Sequence, residues 1–116
     1  MPGTQPTDVL AVLPAEDADV TFVDAEGVVR FFSEYRIFSR PLSCLDADVL
    51  LCHPEERRSG IALMLSEFRD GWRDEAQFLS SKSGRLVDVR YIAVRELEGE
   101  YVGCVEVAQW AADQAD

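Results

Sequence analysis

The chain has 116 residues, 47% of them hydrophobic, and 22 acidic against 11 basic side chains give it a formal net charge of −11. That length and composition suit one folded domain with a core of its own and exclude a disordered chain. The charge repels phosphate backbones and anionic lipid, so neither nucleic acid nor a membrane surface is an expected partner.

Residues 1–6 carry two prolines and a glycine without periodicity and read as a loose terminus. Thr7 suits a helix N-cap, opening a short helix over Asp8 to Leu13 that Pro14 ends. Asp19 to Asp24 is rich in β-branched and aromatic residues and reads as a strand. Ala25-Glu26-Gly27 is a tight turn, and Val28 to Phe32 is the returning strand of a β-hairpin. Ser33 to Pro54 holds no single period and reads as short helical turns joined by loops.

Glu55 to Arg69 is the main helix. Pro54 precedes it, and Glu55 and Glu56 stand in the first turn, where the helix dipole favours acids. Ile61, Met64, Leu65 and Phe68 follow the spacing of one buried stripe. Gly60 costs this helix about 1 kcal/mol relative to alanine, which predicts close packing against it. Gly71 is the C-terminal stop. Three strands follow: Asp74 to Ser81, Arg85 to Arg95 and Tyr101 to Trp110, with turns at Lys82-Ser83-Gly84 and Glu98-Gly99-Glu100. A polar tail closes the chain.

This order predicts an α+β fold: a five-stranded antiparallel sheet with short helices and one longer helix on one face. The expected organisation is an N-terminal helical extension over 1–16, the domain over 17–110, and a tail over 111–116.

Five stretches resemble PAS domains. Val20-Thr21-Phe22-Val23-Asp24-Ala25-Glu26-Gly27 resembles the opening hairpin, with an aspartate before the turn. Arg36-Ile37-Phe38-Ser39-Arg40 resembles the stretch before the short helices, with Ser39 where a glycine is usual. Cys52-His53-Pro54-Glu55-Glu56 resembles the His-Pro-acidic signature that opens the long helix. Lys82-Ser83-Gly84-Arg85 and Gly103-Cys104-Val105-Glu106-Val107 are similar to the later hairpin turn and the last strand. The resemblance is strongest to the PAS branch often joined to hemerythrin-like domains. It implies a sensory or signalling module with a pocket between sheet and helices.

The resemblance implies pocket-lining positions at Phe22, Phe38, Leu50, Met64, Phe68, Phe78, Val89, Tyr91 and Cys104. The competing reading is that these residues simply fill a close-packed core. Arg36, Arg90 and Arg95 stand out in so acidic a chain. Any of them reaching the pocket would favour an anionic ligand, whereas surface ion pairing is the plain alternative.

His53 is the one histidine, beside Cys52. It reads first as a helix-opening residue and, in a second alternative, as a haem-iron ligand. No motif requires a cofactor, and none assigns a metal. Cys44, Cys52 and Cys104 form no CxxC pair, so no disulfide framework or zinc site is expected. Cys52 lacks the Asn-Cys-Arg context of flavin-bonding PAS photosensors. Cys52 and His53 are adjacent, with no third group to orient them, so no enzyme is expected.

Val23, Val29, Phe31, Ile92, Val94, Val105 and Val107 form a second apolar set, out of phase with the first. A sheet apolar on both faces needs a cover on its outer side. The expected cover is Val9, Leu10 and Leu13 of the N-terminal helix or a second subunit, which predicts a homodimer through that face. No apolar run approaches the roughly 20 residues of a membrane span, and Val9 to Leu13 is too short for a signal peptide, so the expected location is cytoplasmic. Two functions are therefore carried forward: a small-ligand sensor signalling through dimer or partner contacts, and a ligand-free dimerisation or docking domain.

Overall fold

The structure, a computed structural model, describes residues 4–8 and 17–111. The first hairpin joins β1 (Asp19–Asp24) to β2 (Val29–Phe32). Asp24 organises its turn. One carboxylate oxygen accepts the Glu26 and Val28 backbone N–H groups at 2.9 and 3.0 Å, and the other accepts from Arg30 at 2.8 Å. This is the turn chemistry that favours aspartate before a glycine. Val28 itself lies outside β2 and forms an isolated bridge to Asp48.

Short 3-10 turns occur at Leu42–Cys44 and Val49–Cys52 in the irregular stretch. The helix α1 spans Glu55–Arg69 and buries Ile61, Met64, Leu65 and Phe68. Gly71, at φ +82°, reverses the chain, and the N–H groups of Gly71 and Trp72 close the helix on the Phe68 and Glu67 carbonyls.

The remaining strands are β3 (Glu75–Lys82), β4 (Arg85–Arg95) and β5 (Tyr101–Trp110). The first begins one residue later than the sequence suggests. Ser83 and Gly84, both at positive φ, form the two-residue turn between β3 and β4. All strand pairs are antiparallel, in the order β2-β1-β5-β4-β3. The last strand returns to the sheet centre and bridges the opening hairpin to the meander. Thr4 bridges Val94 beyond the start of β3, extending that edge.

The sheet is apolar on both faces, but the division differs from the expected one. Val23 and Val29 join the main core beneath α1, with Phe68, Val89, Tyr91, Ala93 and Cys104. Val94, Val105 and Val107 form the separate outer cluster, with Val20, Phe22 and Val102 packed against it. Phe31 is half exposed. In β1 it is Asp19, Thr21 and Val23 that point inward, and a register shift between Phe22 and Val23 lets Val29 follow them. Phe22 therefore lies on the face opposite α1. The expected N-terminal helix with Val9, Leu10 and Leu13 falls outside the described residues, apart from Asp8 at the end of a 3-10 turn over Pro6–Asp8. Residues 112–116 of the tail also lie outside them.

Candidate functional site

A cleft of about 740 Å³ opens between the first half of α1 and the inner face of β3 and β4. Phe38, Met64, Phe78, Val89 and Tyr91 supply its apolar surface. Phe78 and Tyr91 stack with ring centroids 5.8 Å apart. Ser59 and Gly60 from the helix, and Ser80 and Ser81 from β3, also line it. Mixed apolar walls with a few convergent polar groups are the usual make-up of a small-molecule site.

Four polar residues gather at the cleft: Arg40, His53, Tyr91 and Glu106. Arg40 reaches them from the loop after Phe38, and its Nε donates to the Cys52 carbonyl at 3.2 Å. Its Nη2 stands 3.2 Å from His53 Nε2 and 3.8 Å from Glu106 Oε2. A guanidinium only donates, so His53 Nε2 accepts, and His53 Nδ1–H donates to the Val49 carbonyl at 3.0 Å. The Tyr91 hydroxyl lies 3.5 Å from the same Nε2.

Glu106 points inward from β5, paired with Tyr91 in the ladder. Burial pushes its pKa upward, but the facing side chains of His53, Arg40 and Tyr91 together outweigh burial and hold it below the ordinary 4.5. Glu106 is therefore a buried carboxylate. Its Oε1 has no hydrogen-bond partner among the described residues. Burial and the neighbouring Glu106 charge push the Tyr91 hydroxyl well above 10, so it stays a donor.

The structure brings Phe38, Cys52, His53, Met64, Phe78, Val89 and Tyr91 together on the cleft. It places five other expected positions elsewhere. Phe68 and Cys104 are fully buried in the core, and Leu50 packs against it. Phe22 is on the outer face. Arg36 pairs with the buried Asp19 at 2.7 Å and lies over the Phe32 ring. The other oxygen of Asp19 accepts the Ile37 and Phe38 N–H groups, both at 2.9 Å. Arg36 thus fixes the loop that presents Phe38. Arg90 pairs with Glu75 at the surface, and Arg95 pairs with Asp74 while donating to the Phe68 carbonyl at the end of α1. Arg40, Arg57 and Arg73 do line the cleft, and Arg40 is the one that meets the buried Glu106; sequence reading passed over Arg40 and Glu106 as site residues. The strand phase pointed to the latter, since Glu106 follows Cys104 by two residues on the same face.

The close packing expected at Gly60 is absent. A Cβ built there meets nothing within 4 Å. Gly60 faces the cleft, and its missing side chain widens the mouth.

The residues do not suit a haem held by His53. Arg40 occupies Nε2 and the Val49 carbonyl holds Nδ1, so neither nitrogen offers a free lone pair to iron. Nor do the thiols read as nucleophiles. Burial and the neighbouring Cys44 push Cys52 up to about 12, and burial with the Glu106 charge pushes Cys104 up to about 12. No group of three or more metal-ligating side chains occurs among the described residues. Among them no helix is long and apolar enough to cross a membrane.

Comparison with known proteins gives a consistent pattern. A family profile described as PAS domain matches residues 10–109. The C-terminal domain of a Streptococcus mutans protein is similar at TM-score 0.75 and 24% identity, covering 90% of this chain and 83% of that one. A sensory box sensor histidine kinase from Vibrio cholerae is similar at TM-score 0.64 and 11% identity, covering 93% and 90%. A Vibrio cholerae receptor described as a dual PAS-haem oxygen sensor is similar at TM-score 0.54 and 12% identity, covering 82% and 95%. At these identities the likeness shows the shared fold. No curated protein matches the sequence.

Proposed function

Since the chain belongs to the PAS domain family, matched across residues 10–109, we propose that it is a sensory module binding a small molecule in the cleft beneath α1. The observation that carries this reading is the cleft itself, about 740 Å³ with apolar walls and a buried polar cluster. A residue set that only filled a core would leave no such space. The thiols of Cys52 and Cys104, each pushed up to about 12 chiefly by burial, support a role without thiol catalysis.

Signal passage is assigned to the sheet. The cleft touches β3, β4 and, through Glu106, β5, whose opposite face carries Val105 and Val107. A ligand that shifts Glu106 acts directly on the strand bearing the outer cluster. A homodimer through that outer face would receive the change. Sedimentation at high micromolar concentration tests this, and a monomer there would withdraw it. The Arg36-Ile37-Phe38, Cys52-His53-Pro54 and Arg90-Tyr91 stretches support placement in the hemerythrin-linked branch.

Native mass spectrometry of the freshly purified protein tests the ligand reading. The expected result is a small molecule that leaves on denaturation and is missing from Gly60→Leu, which fills the cleft mouth. A wild-type chain that carries nothing and gains no thermal stability from small aromatic molecules would instead support a ligand-free docking domain. That alternative draws on the exposed Leu79 and Leu86 of the β3–β4 hairpin.

A further inference from the structure

We infer that the cleft takes a neutral, ring-bearing molecule of largely apolar surface that donates one N–H or O–H to Glu106. This deepens the small-ligand reading and rests on it. The orphaned oxygen sets the polar requirement. Glu106 is a buried carboxylate lining the cleft, and its Oε1 has no partner among the described residues. A buried acceptor left unsatisfied is costly, and only a donor satisfies a carboxylate.

Charge balance sets the neutrality of that donor. Arg40 already stands against Glu106 Oε2 at 3.8 Å, and the two charges offset one another. A cationic ligand would meet the Arg40 guanidinium, and an anionic one would meet Glu106. Either would bring an uncompensated charge against that buried pair, and the other charged lining residues, Glu56, Arg57 and Arg73, are exposed to solvent. The walls set the body of the ligand. Phe38, Phe78, Val89 and Tyr91 offer flat and branched apolar surfaces, with the Phe78–Tyr91 stack available to a ring. Oε1 is closed to water, so a seated ring must part the side chains over it. Met64, with its flexible unbranched chain, is the lining residue suited to yield.

The test compares indole with N-methylindole by calorimetric titration of the whole chain. The two probes share a ring system and differ in the one N–H. Indole is expected to bind about tenfold to a hundredfold more tightly, the worth of one net hydrogen bond to a charged group. In Glu106→Met that preference disappears while N-methylindole binding persists. The wild type gives a second reading should that variant fail to fold: the infrared carboxylate stretch shifts with indole and not with N-methylindole. Equal affinities, or an indole preference that survives in folded Glu106→Met, would overturn the assignment to Glu106 and leave the small-ligand reading intact. Failure of both probes to bind up to their solubility limits would overturn the inference and count against that reading as well.

Discussion

Arg40 Nη2 lies 3.2 Å from His53 Nε2, and that contact decides what His53 can do. The guanidinium keeps its proton, so the imidazole nitrogen facing it must accept. The same residue that satisfies His53 blocks the lone pair an iron would need. Titration with hemin should therefore give no Soret spectrum of histidine-ligated iron, and His53→Ala should leave the spectrum unchanged. A ligated spectrum in the wild type that vanished in His53→Ala would show that Arg40 can be displaced.

Stability should fall on acidification below about pH 4.5, and Glu106 should carry part of the fall. Its folded pKa lies below the ordinary 4.5. A depressed carboxyl contributes stability that is complete above 4.5 and is lost as pH falls through the folded value. Asp24 acts in the same sense below its ordinary 3.8, with the Val28 N–H, Arg30 and the Glu26 N–H overcoming its slight burial. Asp19 opposes them. Burial raises its pKa above 3.8 despite the Phe38 and Ile37 N–H groups and Arg36, so its protonation on acidification favours the folded state. Urea titrations from pH 7 to 3 should show the net loss in the wild type and a shallower one in Glu106→Gln. An equal acid slope in the two proteins would remove Glu106 from the account.

Gly60 separates stability from cleft occupancy. Gly60→Ala should raise stability by about 0.5–1 kcal/mol, because alanine replaces glycine in a helix and its Cβ meets nothing within 4 Å. Gly60→Leu should share the gain in helix propensity and lose indole binding by about tenfold or more, since its side chain enters the cleft mouth. Thermal melts and calorimetric titrations read the two effects independently. A leucine variant that still binds indole at wild-type affinity would place the ligand away from the helix.

The elements were legible in the sequence where a local signal sufficed. Asp24 and Gly27 announced the hairpin, the Ile61–Phe68 stripe announced α1, and Gly84 announced the β3–β4 turn. The family resemblance supplied the pocket's place under the helix, and seven of the expected positions meet there. What stayed hidden depends on partners distant in the chain. Arg36 and Arg40 look alike in sequence, yet Asp19 draws Arg36 into a loop-fixing pair while Glu106 and His53 face Arg40. The phase of β1 was misread because alternation alone does not say which set faces inward. Asp19 and Thr21, polar but bonded, share the inner side with Val23, and Phe22 turns outward.

The outward-turned Phe22 lies against Gly103, but it is the backbone of β1 that makes this glycine irreplaceable. Gly103 pairs with Asp24 across β1 and β5, at φ +153°. A Cβ there would stand 2.8 Å from Phe22 Cζ and collide with the Val23 carbonyl oxygen. The aromatic ring can swing aside, but the carbonyl belongs to the ladder that joins the two strands. Gly103→Ala should therefore lower stability by about 3 kcal/mol or more, combining backbone strain with overpacking. The check is the urea midpoint at unchanged denaturant slope. The double variant Phe22→Ala/Gly103→Ala tests the cause. It should recover none of the loss, because the backbone collision persists. Recovery to the level of Phe22→Ala alone would mean that the ring, and not the strand backbone, demands glycine at this position.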